Sequence, residues 1–192
     1  MSAVERVAEI LDEAQDGFDK FLAVSDNDHK YVHCGMGFVN GGNTGSLSAG
    51  ATYYASFVTP PASSGVYVHL RPSQLASTAN ILLMQVHEGS TVGSLGTANA
   101  SINCNRNRQA SNVPKSIVYL GSGTVTDGVL IQQFAVGSGG SGSGNSGGAV
   151  GAVQERVLKP STIYTFKFTN VGSSTATTGY FEMFFYEEGK GA

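Results

Sequence analysis

Charged residues are scarce in this sequence. Only 13% of its 192 residues are Asp, Glu, Lys or Arg, whereas about a quarter is usual in soluble domains. The net charge of −3 leaves no basic excess of the kind that nucleic-acid binding needs. No run approaches the length of a membrane-spanning helix, and the first residues lack the basic and apolar regions of a signal peptide. We therefore expect a protein that is made in a cytoplasm and binds neither nucleic acid nor membrane.

Recognisable catalytic patterns are also missing. The glycine-rich stretches are not followed by the Gly-Lys-Ser/Thr of a phosphate-binding loop, and the two cysteines lack a metal-type spacing. Only six carboxylates follow residue 30, and Glu182, set among aromatic residues, is the one candidate acid for a glycan hydrolase. The sequence therefore predicts no enzyme, no cofactor and no metal site.

Glycine is abundant instead, with 26 residues, about twice the ordinary share. Residues 163–169 alternate as in a half-buried strand, with Tyr164, Phe166 and Phe168 on one side. Short segments of this kind are separated by turn residues, with no helix between them. The pattern predicts an all-β domain over residues 26–192, an antiparallel two-sheet sandwich for which jelly-roll topology is favoured, with a flexible Gly/Ser loop at 137–148. The predicted strands are 31–39, 52–59, 66–71, 81–88, 117–120, 129–136, 153–158, 163–169 and 180–187.

Residues 1–25 have a different character and form a predicted N-terminal arm. Ser2 and Glu5 fit a capping box at the start of a helix over residues 2–22. Its apolar stripe consists of Val4, Val7, Leu11, Ala14, Phe18 and Phe21. The first 30 residues hold eight acidic and three basic residues, so the outer face of this helix is acidic. The helix could pack on its own domain, bind a partner lattice or bundle with its copies, and the sequence leaves these alternatives open.

The last predicted strand is apolar on both faces. Phe181, Met183 and Phe185 alternate with a second set on the other face. Because one face packs on the domain core, the other needs a second cover, and we expect a subunit contact there. The second set is Tyr180, Glu182, Phe184 and Tyr186. The polar segment with Asn105, Arg106 and Arg108 is either a solvated loop or a further intersubunit contact.

Several stretches resemble a family of small structural proteins encoded in the head-gene region of tailed bacteriophages. The resemblance covers about residues 26–188. Its motifs are His87-Glu-Gly-Ser-Thr-Val92 with Gly96-Thr97, Asn105-Arg-Asn107, Val118 to Val125, Val157-Leu-Lys-Pro160 through Tyr164 to Asn170, and Phe185-Tyr-Glu187, with Asp28 to His33 as the entry strand.

The resemblance implies a β-sandwich virion component, a capsid decoration (cement) protein or the base of a head fibre, which acts as a homotrimer on the major capsid protein lattice. A second hypothesis is a carbohydrate- or receptor-binding tail or fibre module that uses the aromatic faces of Tyr53, Tyr54 and Tyr67. A third hypothesis is a glycan hydrolase centred on Glu182.

Overall fold

The computed structural model describes residues 27–106, 112–137, 146–149, 155–172 and 175–189. The chain divides into two compact units, residues 1–30 and 31–192, and the β structure belongs to the second. The predicted helix over residues 2–22 lies outside the described residues, together with Val4, Val7, Leu11, Phe18 and Phe21 of its apolar stripe, and so does Arg108. Within the described ranges, no helix has the length and hydrophobicity needed to cross a bilayer.

The described residues contain one α-helix, α1 (Asn27–His33), and one short 3-10 helix, Ala62–Ser64. Fourteen strands are described. They are β1 (Gly37–Leu47), β2 (Thr52–Val58), β3 (Tyr67–Ser77), β4 (Leu82–Glu88), β5 (Thr91–Ser94), β6 (Thr97–Asn99), β7 (Ile102–Asn103), β8 (Ile117–Leu120), β9 (Gly123–Thr126), β10 (Val129–Val136), β11 (Ser146–Ala149), β12 (Arg156–Leu158), β13 (Ile163–Asn170) and β14 (Thr177–Glu188).

The strands form two large antiparallel sheets. The first sheet has the order β11–β3–β14–β1–β7, with β12 also paired to β3, and the second has the order β10–β4–β13–β2–β8–β6. A small third sheet pairs β5 with β9. The all-β, antiparallel two-sheet prediction is confirmed.

Aromatic side chains from both sheets meet in the core. Phe57 of the second sheet packs edge-on against Phe185 of the first, with ring centroids 5.0 Å apart. Phe168 and Phe181 stack across the same interface at 4.5 Å. All four side chains are buried, and burying a phenylalanine contributes about 1.5–3 kcal/mol, so this aromatic layer holds the two sheets together.

The entry into β1 differs from its prediction. The sequence predicted a turn and then a strand from residue 31, but residues 27–33 form α1 and the strand begins at Gly37. Gly35 follows the last turn of the helix and has a left-handed φ of 73°. The N–H of Met36 donates to the Tyr31 carbonyl at 2.8 Å and that of Gly35 to the Val32 carbonyl at 3.0 Å, so a Schellman motif closes the helix.

Two other segments are longer or more ordered than predicted. The sequence ended the third strand before Pro72, but β3 continues to Ser77 because a register irregularity opposite Glu182 and Met183 accommodates the proline. Part of the predicted flexible loop at 137–148 also pairs, since β11 lies against residues 74–77 of β3. Strand pairing uses backbone groups only, so glycines can pair wherever a partner strand offers an edge.

Candidate functional site

The last strand, β14, presents two apolar faces as predicted. Phe181, Met183 and Phe185 are buried in the core between the sheets. The residues between them lie on the outer face of the first sheet, because successive side chains of a strand point to opposite sides. This second set is Tyr180, Glu182, Phe184 and Tyr186.

Tyr186 is covered by the chain itself. The ring of Tyr31 in α1 stacks on it at 4.2 Å, and the ring of His69 in β3 stacks on it at 4.4 Å. Tyr186 is consequently 1% exposed. A Cβ at Gly37 would lie 3.1 Å from the Val32 side chain and 3.3 Å from the Phe184 ring, so glycine lets these two side chains pack closely over the strand. At Tyr186, the cover that the sequence argument assigned to another subunit is supplied by α1.

Charged groups surround this aromatic stack. Nδ1 of His69 lies 2.7 Å from Oε1 of Glu155, and its Nε2 lies 3.3 Å from Oε2 of Glu188. Nε of Arg71 lies 3.7 Å from the other oxygen of Glu155. The two carboxylates therefore hold the imidazole edge-on at both nitrogens, which fixes the plane of the ring against Tyr186.

The titration of the stack follows from this arrangement. Burial and a hydrogen bond to Glu188 raise the pKa of Tyr31 to about 12. Burial and a hydrogen bond to Glu155 raise the pKa of Tyr186 well above its usual value. Burial alone would raise the pKa of Glu155, but hydrogen bonds from His69 and Tyr186, together with Arg71, lower it. The stack is therefore held with neutral phenols and an ionised Glu155.

Beyond the stack, the outer face of the first sheet carries exposed apolar side chains. Ile102, Val39 and Phe184 lie opposite one another on β7, β1 and β14 and form one row across three strands. Four large apolar residues on this face are more than half exposed: Tyr67, Ile102, Val157 and Tyr180. We call the row of Ile102, Val39 and Phe184 the apolar outer face. Beyond Phe184, Arg71 and His69 with their carboxylates separate this row from Val157.

A shallow groove of about 230 Å³ crosses the apolar outer face. It is lined by Val39, Asn40, Gly41, Asn99, Ala100, Ile102 and Glu182. The described residues that line it include no carboxylate besides Glu182, so the pair of acids used by most glycoside hydrolases is not assembled in this groove. Nor do any three His, Cys, Asp or Glu side chains among the described residues come together as a possible metal site.

The wall of the groove is fixed by two amides that the sequence did not single out. Nδ2 of Asn40 donates to the Asn99 carbonyl at 3.0 Å and to the Ser101 hydroxyl at 2.8 Å. Nδ2 of Asn99 donates to Oδ1 of Asn40 at 2.7 Å and to the Gly41 carbonyl at 3.0 Å. These hydrogen bonds hold residues 99–101, which connect β6 of the second sheet to β7 of the first, against β1.

Glu187 was also missed as a structural residue. It is 2% exposed and accepts hydrogen bonds from the backbone N–H groups of Lys115 and Ser116, at 2.9 and 2.7 Å, and from the Ser116 hydroxyl at 2.7 Å. Its position continues the core-facing series Phe181, Met183 and Phe185, and this signal in the sequence could have identified it.

The polar segment after β7 contacts the end of α1. Nδ2 of Asn105 donates to the His33 carbonyl at 2.8 Å, and its backbone N–H donates to Oδ1 of Asn103 at 2.9 Å. Arg106 is exposed. The structure thus gives Asn105 a role in holding the helix end, and the predicted intersubunit role of Asn105 and Arg106 stays a prediction.

The outer face of the second sheet carries both an apolar and a polar row. The apolar row is Ile163, Val58 and Ile117, and Ile117 is 44% exposed. In the polar row, Gln133, Gln85, Lys167 and Tyr54 lie opposite one another on four adjacent strands. Nζ of Lys167 binds Oδ2 of Asp127 at 2.5 Å and lies 5.7 Å from the Tyr54 ring centroid. The carboxylate of Asp127 raises the pKa of Lys167, so this row carries a charge at neutral pH.

The three tyrosines of the carbohydrate-binding hypothesis do not form one platform. Tyr53 packs toward the core against Phe168, with ring centroids 6.2 Å apart. Tyr54 lies on the outer face of the second sheet, whereas Tyr67 lies on the outer face of the first. A saccharide could therefore not contact all three in the way that the sequence argument assumed.

Fold and surface together define a class, an antiparallel two-sheet β-sandwich with an exposed apolar row on the outer face of its first sheet. No protein-family model matches the chain, and neither a curated protein nor a solved structure is similar to it at a significant level.

Proposed function

We propose that this chain is a non-enzymatic structural protein of a bacteriophage virion, a decoration protein that binds the outside of the capsid lattice. It would be synthesised in the host cytoplasm and act as a homotrimer, with the major capsid protein and its own copies as partners. The virion assignment rests on the sequence resemblance over residues 26–188. The two-sheet sandwich is the fold that this resemblance implies.

The observation that carries the structural part of the proposal is the apolar outer face. The row of Ile102, Val39 and Phe184 faces away from the core, and exposed apolar surface of this kind is typical of interaction sites. Val39 is central in this row. Phe184 is its half-buried aromatic end, opposite Arg71 on β3 and next to the face covered by α1. Large aromatic side chains often contribute most of the energy of a protein interface.

Jelly-roll topology is the finer description that we propose for the sandwich. Its support is the strand order, in which β12–β3–β14–β1 face β10–β4–β13–β2. When these eight strands are followed in chain order, the connection from β4 to β10 stays within one sheet. Every other connection among them crosses from one sheet to the other. This alternation is the connectivity expected for two interleaved Greek keys.

A binding assay with undecorated capsids of the encoding phage tests the proposal. Phe184→Asp should weaken binding about 30-fold or more, since it replaces the one aromatic side chain of the apolar row with a charge. Tyr54→Asp is the matched control, because it makes the same kind of change in the polar row of the second sheet. Cosedimentation and sedimentation velocity would report capsid binding and trimer formation. Equal binding by both variants, or no binding by the wild type, would contradict the proposal.

A further inference from the structure

The two large sheets end in edges of very different length. The edge strands of the first sheet are short: β7 has two residues, β12 has three and β11 has four. One edge of the second sheet is β6, which has three residues. The other end is β10, with eight residues. β10 pairs with β4 on one side, and no described strand pairs with its other side. A long edge strand leaves a row of backbone N–H and C=O groups available to another strand.

β10 has few of the features that usually protect an edge. Its sequence, VLIQQFAV, contains no charged residue and no proline. Exposed edges are commonly blocked by lysine, by proline, by bulges or by extreme shortness. The bulge between Leu130 and Gln132 interrupts only the first part of this strand, and Nε of Arg156 donates to the Gln132 side chain at 3.2 Å. At the start of the strand, Val129 is 67% exposed and Leu130 is 45% exposed. Within the described residues, an edge of this length with one bulge and no charge of its own fits a strand partner better than it fits solvent.

We propose that β10 pairs antiparallel with β10 of a second copy of this chain. Because the strand is uncharged, two identical copies meet without like-charge repulsion, and a two-fold contact is self-complementary. The exposed apolar start of one strand then lies beside the apolar end of the other. Two six-stranded sheets, one from each copy, become a continuous sheet.

This contact goes beyond the proposed decoration function and uses a different part of the molecule. The apolar outer face belongs to the first sheet, whereas β10 is the edge of the second. On a lattice, a two-fold contact of this kind would link copies that do not share a trimer. The two contacts can therefore be broken separately.

Cysteine cross-linking tests the pairing directly. Gln133 is exposed, lies near the middle of β10 and makes only a long hydrogen bond, 3.4 Å, with Gln85. The background is Cys34→Ser/Cys104→Ser, since both native cysteines are free thiols. With oxidised glutathione, two Gln133→Cys thiols from two copies are oxidised to one disulfide, and one glutathione disulfide is reduced to two thiols. We expect Gln133→Cys to form a covalent dimer at least about tenfold faster than the control Gln85→Cys, which lies one strand inside the edge.

Adding Phe184→Asp should leave this cross-linking rate unchanged, even where it abolishes capsid binding. Equal rates for the Gln133→Cys and Gln85→Cys proteins would overturn the pairing.

A charge exchange at the same position gives a second measurement that does not depend on the exact register. Gln133→Lys and Gln133→Glu should each weaken self-association about tenfold, because like charges then face each other across the two-fold. An equimolar mixture of the two should restore association through opposite charges. Sedimentation equilibrium would measure all three samples. If both variants associate as the wild type does, or if the wild type shows no β10-dependent association, the proposal is wrong.

Discussion

The outer faces of the two sheets are covered in different ways, although both sheets pack on the same aromatic core. The first carries the row of Ile102, Val39 and Phe184, and the second carries a row that includes Gln85 and Lys167. A face that only meets solvent tolerates polar side chains, whereas an apolar face requires a cover. The exposed row of the first sheet therefore indicates a neighbour. Part of the second sheet is instead covered by the chain itself, since Thr165 and Ser56 are fully buried and hydrogen-bonded to Ser90 and Ser122.

Part of the cover on the first sheet is already visible. α1 places Tyr31 over Tyr186, while Val32 comes close to Gly37. The helix covers one region and leaves Tyr180, Ile102 and Val157 exposed on the same face. The same face thus shows both a region completed by the chain itself and a region that remains open for a partner.

Truncating one tyrosine on each face should give the largest difference in stability. Tyr186→Ala removes a fully buried ring stacked between Tyr31 and His69, so we expect the free energy of unfolding to fall by about 3–5 kcal/mol. Tyr54→Ala removes a half-buried ring from the polar row of the second sheet and should cost less than about 1 kcal/mol. Urea unfolding followed by circular dichroism measures both. Equal losses would show that the stack on the first sheet is not a specific cover.

Raising the pH should lower the stability by a smaller amount, through the phenol of Tyr31, which covers Tyr186. The fold raises the pKa of Tyr31 to about 12, so it favours the neutral phenol. The raised pKa of Tyr31 contributes its full stabilisation below about pH 10, the ordinary tyrosine pKa. This stabilisation is lost as the pH rises toward 12. Tyr31→Phe keeps the ring but cannot ionise, and should therefore lose less stability between pH 10 and 12. It should not remove the loss entirely, because Tyr164 also has a pKa of about 12.

The control for this titration is Tyr67→Phe, an exposed tyrosine on the same sheet, which should follow the wild type. Urea unfolding at several pH values between 9 and 12 provides the comparison. Identical pH profiles for Tyr31→Phe and the wild type would contradict the proposed role of Tyr31.

Side-chain alternation made much of the sandwich predictable. β8 and β10 have the bounds that the sequence predicted, and Tyr164, Phe166 and Phe168 are buried together as their spacing required. The second face of β14 was likewise predicted as apolar, and the structure places Phe184 on an outer face. Its role as a subunit contact stays a prediction.

The remaining features depend on contacts between distant parts of the chain. α1 was missed because seven residues carry little helical pattern, and Tyr31 gains its partner only when Tyr186 is in place. Strand order could not be derived, since alternation gives the buried face of a strand but not its neighbour. Tyr53, Tyr54 and Tyr67 were grouped as aromatic candidates, yet the fold separates them onto three different surfaces.

The most direct test of the central claim is a cryo-electron microscopy map of capsids with this protein bound. We predict that the apolar outer face of the first sheet, with Phe184, Val39 and Ile102, contacts neighbouring subunits. The row of Gln85 and Lys167 on the second sheet should face solvent. A map in which the second sheet contacts the lattice while the first sheet faces solvent would contradict the account.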